Sequence, residues 1–306
     1  MKHFKKIGII VVNLLFDHDY FYKFLGFLNT NILLGRIRGM FLVYPASEKF
    51  TKAFVYNWYA KKIKWKPALV GFFRQENKWG IIFGISATEE DFWKDYDTEK
   101  LKKLNSKLES IKKIIKADQK NFAGVLPGIL AKGGVVNKST EARATVLAIS
   151  QAIEILKARE NMPDNSPLIV IGAEGFIGNQ LVNFLRERGY KGDIHTIDIK
   201  LSEKSGGLPR ELEGRPTIIL NLTKRGALSE YIGSVWSEAV IINEVYPEPS
   251  KEELMAIQER GAHCYHVVGL KGKSWPSFPG AYSGGIPCCA SLTIPQKGDV
   301  IIKKLI

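Results

Sequence analysis

The chain of 306 residues has few cysteines and no long uncharged apolar segment. Its cysteines are Cys264, Cys288 and Cys289, too few for a disulfide framework, and none lies in the CxxC spacing typical of zinc sites. A reducing, cytoplasmic setting therefore fits this composition best. Repeats and low-complexity tracts are absent too, and 45% apolar with 25% charged residues predicts a folded globular protein.

The apolar run near the N-terminus is short. Residues 7–16 follow a basic opening, as in a secretory signal, but no small-residue cleavage site follows, and Asp17, His18 and Asp19 end the run. The run is also too short to span a bilayer. We therefore predict a buried first strand here and no membrane-spanning segment.

The excess of positive charge lies in the first half of the chain. Residues 1–160 carry 28 basic and 15 acidic side chains, whereas residues 161–306 carry 16 of each, so the whole formal charge of +13 lies before residue 161. This change marks a domain boundary, and the basic half would attract an anionic substrate or an acidic partner. The excess of lysine over arginine, 33 to 11, is also typical of a plain solvated surface, and this interpretation is the stronger one. Nucleic-acid binding is not expected, because no reader helix or aromatic RNA motif accompanies the charge.

Mixed helix and strand signals predict that residues 1–138 form an α/β domain for a substrate or partner. The expected elements are a helix at 20–29, a strand at 39–44, a helical segment at 48–64, strands at 68–73 and 79–85, a helix capped by Asp97 or Thr98, a strand at 122–126 and a loop at 127–138. A long helix capped by Ser139 or Thr140 and a polar linker then form a connector, 139–165. The second domain is expected at 166–306.

The second domain opens with a pattern typical of dinucleotide-binding proteins. An apolar run at 168–171 passes into a turn with three glycines and then into a helical segment. A second apolar run at 194–197 ends in Asp198, 20 residues beyond the last of these glycines. The predicted cofactor-binding residues of the turn are Gly172, Ala173, Glu174, Gly175, Phe176, Ile177 and Gly178.

Each residue type in this pattern suits one part of a dinucleotide. The glycines permit a tight turn and the close approach of a pyrophosphate, and the helix directs free N–H groups toward it. Asp198 would accept hydrogen bonds from ribose hydroxyls and repel a 2′-phosphate, which favours NAD. Lys200 moderates that preference, so NADP is the alternative. Glu174 places a carboxylate within the turn; it can point to solvent, but phosphate binding alone would not favour an acidic residue there.

Short helices alternate with further apolar runs in the rest of the chain. These runs are expected to be strands at 217–220, 240–243 and 263–268. The result would be a doubly wound parallel sheet of the Rossmann type, with its ligand at the carboxyl ends of the strands. We therefore predict that Asn221, Leu222 and Thr223 border the nicotinamide, and that the C-terminal segment returns to the cleft.

The order of these parts resembles the two-domain dehydrogenases, such as shikimate dehydrogenase and methylenetetrahydrofolate dehydrogenase. The resemblance rests on residues 139–185: a capped helix, a polar linker and the run IVIGAEGFIGNQLVNFL. It implies hydride transfer between a nicotinamide cofactor and a small metabolite held between two domains. The order also resembles long-chain acyl-[acyl-carrier-protein] reductase, which implies a late nucleophilic cysteine. The segment GGIPCCASLTI contains two cysteines and would correspond to that segment or to the GGV segment near the end of the folate enzyme.

Lys132 and Glu141 are the candidates for proton handling. Lys132 is predicted in a glycine-flanked loop, as a loose counterpart of the catalytic lysine of the shikimate enzyme, and Glu141 at a helix N-terminus would orient it. Both residues are also compatible with roles outside catalysis. An exposed lysine needs no partner, and an acid at a helix N-terminus complements the helix dipole.

Cys288 and Cys289 are the candidates for nucleophilic chemistry. A thiolate at either position, beside the basic first domain, would attack an acyl thioester. An adjacent pair can instead be inert or form a vicinal disulfide. His263 and His266 flank Cys264 on a predicted strand, where alternation separates them, so no metal site is predicted.

Three hypotheses follow for the function. The first is an NAD(P)-dependent oxidoreductase that acts on a small molecule. The second is an acyl-thioester reductase whose acidic carrier protein meets the basic half of the chain. The third is a dinucleotide-sensing or interaction protein without turnover, which Glu174 and the lack of an obvious catalytic signature favour. A homodimer is compatible with all three.

Overall fold

The computed structural model describes residues 2–94, 96–136, 141–198, 207–224, 226–278 and 280–306. The chain divides into two compact units. The first contains residues up to 141 together with 272–278 and 289–293, and the second contains 142–271, 279–288 and 294–306. Within the described ranges, no helix has the length and apolar character needed to cross a membrane.

Helices and strands are interspersed along the described chain. The first half contains α1 (Lys2–Phe16), α2 (Asp19–Asn31), β1 (Ile37–Val43), α3 (Glu48–Phe54), α4 (Asn57–Lys62), β2 (Ala68–Gln75), β3 (Lys78–Gly84), α5 (Glu89–Lys94), α6 (Thr98–Ile115), β4 (Gln119–Phe122) and α7 (Leu126–Lys132). The second half contains α8 (Glu141–Arg159), β5 (Leu168–Ile171), α9 (Phe176–Glu187), β6 (Ile194–Ile197), β7 (Thr217–Asn221), α10 (Ser229–Ile232), β8 (Ala239–Asn243), α11 (Lys251–Glu259), β9 (His263–Lys271), β10 (Lys273–Trp275), β11 (Gly285–Ile286) and β12 (Val300–Lys304).

The first unit is built on a mixed sheet with the strand order β10-β2-β3-β1-β4. β1 runs parallel to β3 and β4, while β2 is antiparallel to β3 and β10. Asp97 caps α6 by accepting hydrogen bonds from two backbone N–H groups, as predicted. Because its apolar residues recur three and four positions apart, α6 buries one stripe: Leu101, Leu104, Leu108, Ile111 and Ile115.

The predicted first strand is wrong. Residues 7–16 lie in helix α1, and several of its apolar side chains are exposed, Leu14 by 70% and Leu15 by 57%. A short apolar run is compatible with either a strand or a helix. Here the buried position is polar Asn13, whose side chain exchanges two hydrogen bonds with the Leu69 backbone of β2.

Three other local predictions in the first unit differ from the structure. The strand expected at 122–126 ends at Phe122, and helix α7 occupies part of the expected loop, because Pro127 suits the first turn of a helix. The expected helical segment at 48–64 is interrupted at Val55, where the backbone is extended. The remaining predicted helices and strands of this unit are confirmed to within a few residues.

The second unit contains a sheet with the strand order β11-β9-β8-β7-β5-β6, and β12 also pairs with β9. Strands β5 to β9 run parallel, while β11 and β12 are antiparallel to β9. The chain passes from β5 to β6 on one side and then to β7 on the other side of β5. In an open α/β sheet, ligands bind where the strand order reverses in this way, outside the carboxyl ends of the strands.

The parallel strands form the core of the second unit. All four residues of β5 are buried. One face, with Ile169, Ile219 and Ile241, packs in a single cluster with Tyr231 of α10 and Ile257 of α11. Helix α9 packs on β5. This is the α/β architecture with a parallel Rossmann-type sheet that the sequence predicts.

Candidate dinucleotide-binding site

The turn after β5 requires glycine at its first position. Gly172 has φ +89°, in the left-handed region, and a Cβ atom there would lie 2.9 Å from the Leu222 carbonyl oxygen and from Thr223 Cγ2. The Gly172 N–H donates to the Ile197 carbonyl over 2.8 Å. The turn is therefore held between the end of β6 and the segment that follows β7.

The other two glycines of the turn serve different purposes. A Cβ atom at Gly178 would lie 2.1 Å from the Gly172 carbonyl oxygen, so only glycine lets helix α9 start this close to the turn. A Cβ atom at Gly175 would meet only that carbonyl oxygen, at 3.1 Å, and Gly175 is exposed. The outer side of the turn is thus open to a ligand.

The N-terminus of α9 presents backbone donors at this open side. The first hydrogen bond of the helix runs from Asn179 N–H to the Gly175 carbonyl at 2.9 Å. The N–H groups of Phe176, Ile177 and Gly178 come before this bond, so they have no acceptor within the helix. Gly175 is the N-cap and supplies no side-chain cap. These donors and the positive end of the helix favour a bound anion such as a phosphate.

Two acidic side chains flank the turn. Glu174 is exposed to solvent. Asp198 is half-buried directly after β6, and the preceding Ile197 carbonyl accepts hydrogen bonds from Gly172 N–H and Ala173 N–H, at 2.8 and 3.3 Å. Backbone pairing therefore holds Asp198 beside the glycine turn. Lys200 lies outside the described residues.

The residues after β7 lie against the same turn. Leu222 N–H donates to the Ile171 carbonyl over 2.9 Å, at the end of β5. Asn221 is 3% exposed, and its Oδ1 accepts from the Thr223 hydroxyl at 2.7 Å and from the Thr223 N–H at 3.3 Å. The sheet thus brings the predicted Asn221–Thr223 segment to the glycine turn.

A polar row extends from Asn221 across the next two strands. Asn221 Nδ2 donates to Asn243 Oδ1 over 2.8 Å, and His266 Nδ1 lies 3.0 Å from the Asn243 carbonyl oxygen and 3.1 Å from Asn243 Nδ2. Burial lowers the pKa of His266 and so favours the neutral imidazole. Its Nε2 atom is buried and makes no hydrogen bond to the described part of the chain.

Glu244 follows Asn243 and is a candidate site residue that the sequence predictions missed. Its N–H donates to the Asn221 carbonyl over 3.2 Å, which continues the pairing of β7 and β8. The side chain is half-buried, and burial raises its pKa to about 7. One sequence signal was available, because β7 and β8 both end an aliphatic run in asparagine, ILN and IIN.

The predicted Lys132 and Glu141 occupy helices. Lys132 is an exposed residue in the last turn of α7, where the sequence predicts a loop, and its Nζ lies 6.0 Å from the centre of the Tyr96 ring. Glu141 is the first residue of α8. The caps predicted for that helix, Ser139 and Thr140, lie outside the described residues.

The predicted cysteines lie in a short 3-10 helix at Cys288–Ala290. Cys288 is buried and Cys289 is half-buried, and no disulfide joins them. The Asn121 amide donates to the Cys289 carbonyl over 2.9 Å.

Cys264 is buried, and the neighbouring His263 contacts an acidic side chain. Burial raises the pKa of Cys264 to about 12, which keeps its thiol protonated. His263 Nδ1 lies 2.6 Å from Glu160 Oε2. Among the described residues, no group of three or more His, Cys, Asp or Glu side chains is arranged to hold a metal ion.

The fold and the turn define an α/β protein with a Rossmann-type domain. Residues 168–251 match the model of the NAD dependent epimerase/dehydratase family. This segment runs from β5 to the start of α11, so it contains the glycine turn, Asp198, Asn221 and Asn243. The match agrees with the nicotinamide cofactor predicted from the turn. No curated protein sequence matches the chain at a significant level.

Two solved structures show a distant likeness to the chain. Hetero-hexameric glutamate dehydrogenase from Thermus thermophilus, in its Leu bound form, is 14% identical over 75% of this chain and 64% of that chain, with a TM-score of 0.39. L-tryptophan dehydrogenase from Nostoc punctiforme is 13% identical over 76% of this chain and 70% of that one, with a TM-score of 0.33. The chain thus spans less than two thirds of the glutamate dehydrogenase chain, and likeness at this level carries no information on substrate.

Proposed function

We propose that the chain is an oxidoreductase that uses NAD and acts on a small molecule. The observation that carries this proposal is the turn at Gly172, whose open side presents the N-terminus of α9 while Asp198 is held beside it by the Ile197 carbonyl. The family match over residues 168–251 supports the nicotinamide cofactor.

The residues present fit a dinucleotide. The first-turn N–H groups of α9 would hold the pyrophosphate, and Gly175 leaves room for its approach. The Asp198 carboxylate would accept hydrogen bonds from the ribose hydroxyls and repel a 2′-phosphate, which favours NAD over NADP. When bound, the nicotinamide supplies a hydride acceptor or donor.

Glu244 is our candidate for the group that gives or takes the proton. Hydride transfer to or from a carbonyl carbon needs a proton at the oxygen, and a carboxyl group with a pKa of about 7 holds or releases one near neutral pH. Asn221 and Asn243 fix the backbone from which Glu244 projects. The roles predicted for Lys132 and Glu141, and a substrate held between two domains, stay predictions.

An acyl-thioester reductase is the second candidate, because Cys289 is partly exposed and adjoins Cys288 in a short 3-10 helix. Its thiolate would attack the thioester carbonyl, form an acyl-enzyme and release the carrier thiol. Hydride from the reduced nicotinamide would then convert the acyl group to an aldehyde and release the cysteine thiolate. The basic first half of the chain suits an acidic carrier protein. Mass spectrometry after incubation with an acyl thioester tests this candidate, since only a covalent mechanism adds the acyl mass to the Cys288–Cys289 peptide.

Calorimetry with NADH and NADPH tests the main proposal. We expect tighter binding of NADH, and we expect Asp198→Ala to weaken it by about tenfold, the effect of one lost charged hydrogen bond. Asp193→Ala is the matched control, because Asp193 is exposed at the opposite end of β6. The absence of binding heat with either coenzyme would overturn the proposal. Binding without turnover of any metabolite in a broad panel would favour the sensing hypothesis instead.

A further inference from the structure

Helices α1 and α2 of the first unit present an apolar surface to solvent. On α1 the exposed side chains recur along one stripe, and on α2 they recur at spacings of four and three. The outer apolar surface consists of Val11, Leu14, Leu15, Tyr20, Phe24 and Phe27. The exposed fraction is 70% for Leu14, 81% for Tyr20 and 59% for Phe27. An exposed patch of this kind marks an interaction site.

Buried asparagines fix the orientation of both helices. Asn13 of α1 donates to the Leu69 carbonyl over 2.8 Å and accepts from the Leu69 N–H over 2.7 Å. Asn29 of α2 makes the same pair of bonds with Ile37, at 3.1 and 2.8 Å. Gly26 lies directly against the Ile114 backbone of α6. Each helix thus has its inward face tied by specific contacts, and rotation to bury the outer apolar residues would break them.

Basic residues accompany this surface. Residues 1–66 contain 12 lysines and arginines and 3 acidic residues, so +9 of the formal charge of +13 lies in this segment. Lys23 is exposed on α2, between Tyr20 and Phe24 in the sequence. Trp58 of α4 is 61% exposed, and its neighbour Tyr59 packs in one cluster with Ile9 and Ile10 of α1. Apolar and aromatic residues with flanking lysines are typical of helices that lie in a membrane interface.

The charge decides between two occupants of this surface. A second copy of the chain would bring two segments of +9 together across a two-fold interface, and like charges oppose such an association. An anionic lipid surface attracts the same charge while its acyl boundary accepts the apolar side chains. Helix α1, with 15 residues, is about 22 Å long, so it would lie along the membrane surface rather than span the ~30 Å hydrocarbon layer.

We propose that the outer apolar surface of α1 and α2 binds the protein peripherally to anionic membranes. The apolar side chains enter the boundary between headgroups and acyl chains, and the surrounding lysines contact lipid phosphates. This inference is independent of the dinucleotide site, because its residues and its charge lie in the first unit.

Vesicle co-sedimentation of the full chain tests the proposal. We expect binding to vesicles of equal parts phosphatidylcholine and phosphatidylglycerol, little binding to phosphatidylcholine alone, and weaker binding as salt rises. The double variant Leu14→Glu, Phe24→Glu should lower the partition coefficient at least about tenfold, since both side chains leave the apolar layer. Met255→Glu with Ile294→Glu is the matched control, because these apolar residues of the second unit are also exposed.

A charge variant measures the electrostatic contribution to vesicle binding separately from the apolar contribution. Lys6→Glu with Lys23→Glu should weaken binding to the anionic vesicles about thirtyfold or more, while Lys251→Glu with Lys297→Glu, at exposed positions of the second unit, should not. Unchanged thermal unfolding shows that the variants are folded. Lys23→Glu alone, at an exposed position, replaces the double variant if the loss of the contact between Lys6 and the Tyr56 ring lowers stability.

Three results would overturn the proposal: no binding to anionic vesicles, binding that the variants of α1 and α2 leave unchanged, or equal binding to neutral vesicles. A dimer in solution that Leu14→Glu dissociates, without vesicle binding, would assign the surface to a second copy of the chain instead.

Discussion

The Asn221 side-chain amide donates to Asn243 Oδ1 over 2.8 Å, and this bond joins the last residues of β7 and β8. Both side chains are buried, so their polar groups have little access to water and depend on each other. The bond lies near the glycine turn, because the Asn221–Thr223 segment contacts that turn. This bond therefore couples the geometry of the candidate site to the stability of the sheet.

Replacement of Asn243 by leucine should destabilise the protein by about 2 kcal/mol or more, because Asn221 Nδ2 and the Val245 carbonyl would lose their buried partners. Urea unfolding measures this change. Asn183→Leu is the control, since Asn183 is exposed on α9 and its bond to Asn179 is also exposed. Equal stability of the two variants would show that the buried row contributes nothing to folding.

Replacement of Gly178 by alanine should move helix α9 away from the turn, because the new Cβ atom would lie 2.1 Å from the Gly172 carbonyl oxygen. We expect a loss of about 1–3 kcal/mol in stability, as for other overpacked positions, and weaker NADH binding. Gly233→Ala is the matched control, since that glycine has helical dihedral angles and open space around its Cβ position. If Gly178→Ala bound NADH like the native chain, close contact of helix and turn would not be needed.

Glu244 should make stability depend on pH between about 4.5 and 7. Burial raises the pKa of the folded carboxyl to about 7, above the unfolded value of 4.5, so the unfolded state releases its proton first as pH rises. The stability that protonated Glu244 contributes is therefore fully present below about pH 4.5 and is lost as the pH rises toward 7. Glu244→Gln should remove this loss and be more stable than the native chain at pH 8, by roughly 1–2 kcal/mol. Urea unfolding at pH 5 and pH 8 measures it, with the exposed Glu187→Gln as the control.

Glu160 should have the opposite pH dependence. Burial acts to raise its pKa, but hydrogen bonds from the Tyr265 hydroxyl and from His263 outweigh burial, and the pKa lies below its usual range. The ionised form therefore contributes stability above about pH 4.5, which is lost as pH falls through the folded pKa. Glu160→Gln should cost about 1–2 kcal/mol at pH 7 and less in acid. The exposed Glu259→Gln serves as the comparison, and a constant cost across pH would contradict an ionic role.

The local part of the candidate site could be predicted because its signals are local. Apolar runs at 168–171 and 194–197, with glycines between them, specify a strand, a turn and a helix within some thirty residues. Helix α1 could not be predicted, because the apolar run at 7–16 is compatible with a strand as well as a helix. Only contacts with β2 reveal that Asn13 is the buried position there.

Sequence by itself determined the position of the glycine turn and of the acid that follows β6. The positive φ of Gly172 and the close approach of the backbone at Gly178 exclude every side chain at these two positions, so the glycines mark the turn. Tertiary structure alone decided which polar residues meet near them. Asn221, Asn243 and His266 come from separate strands, so their contact depends on the register of β7, β8 and β9. The pKa of Glu244 likewise depends on burial, which is a property of the packed unit and not of the residue or its neighbours in sequence.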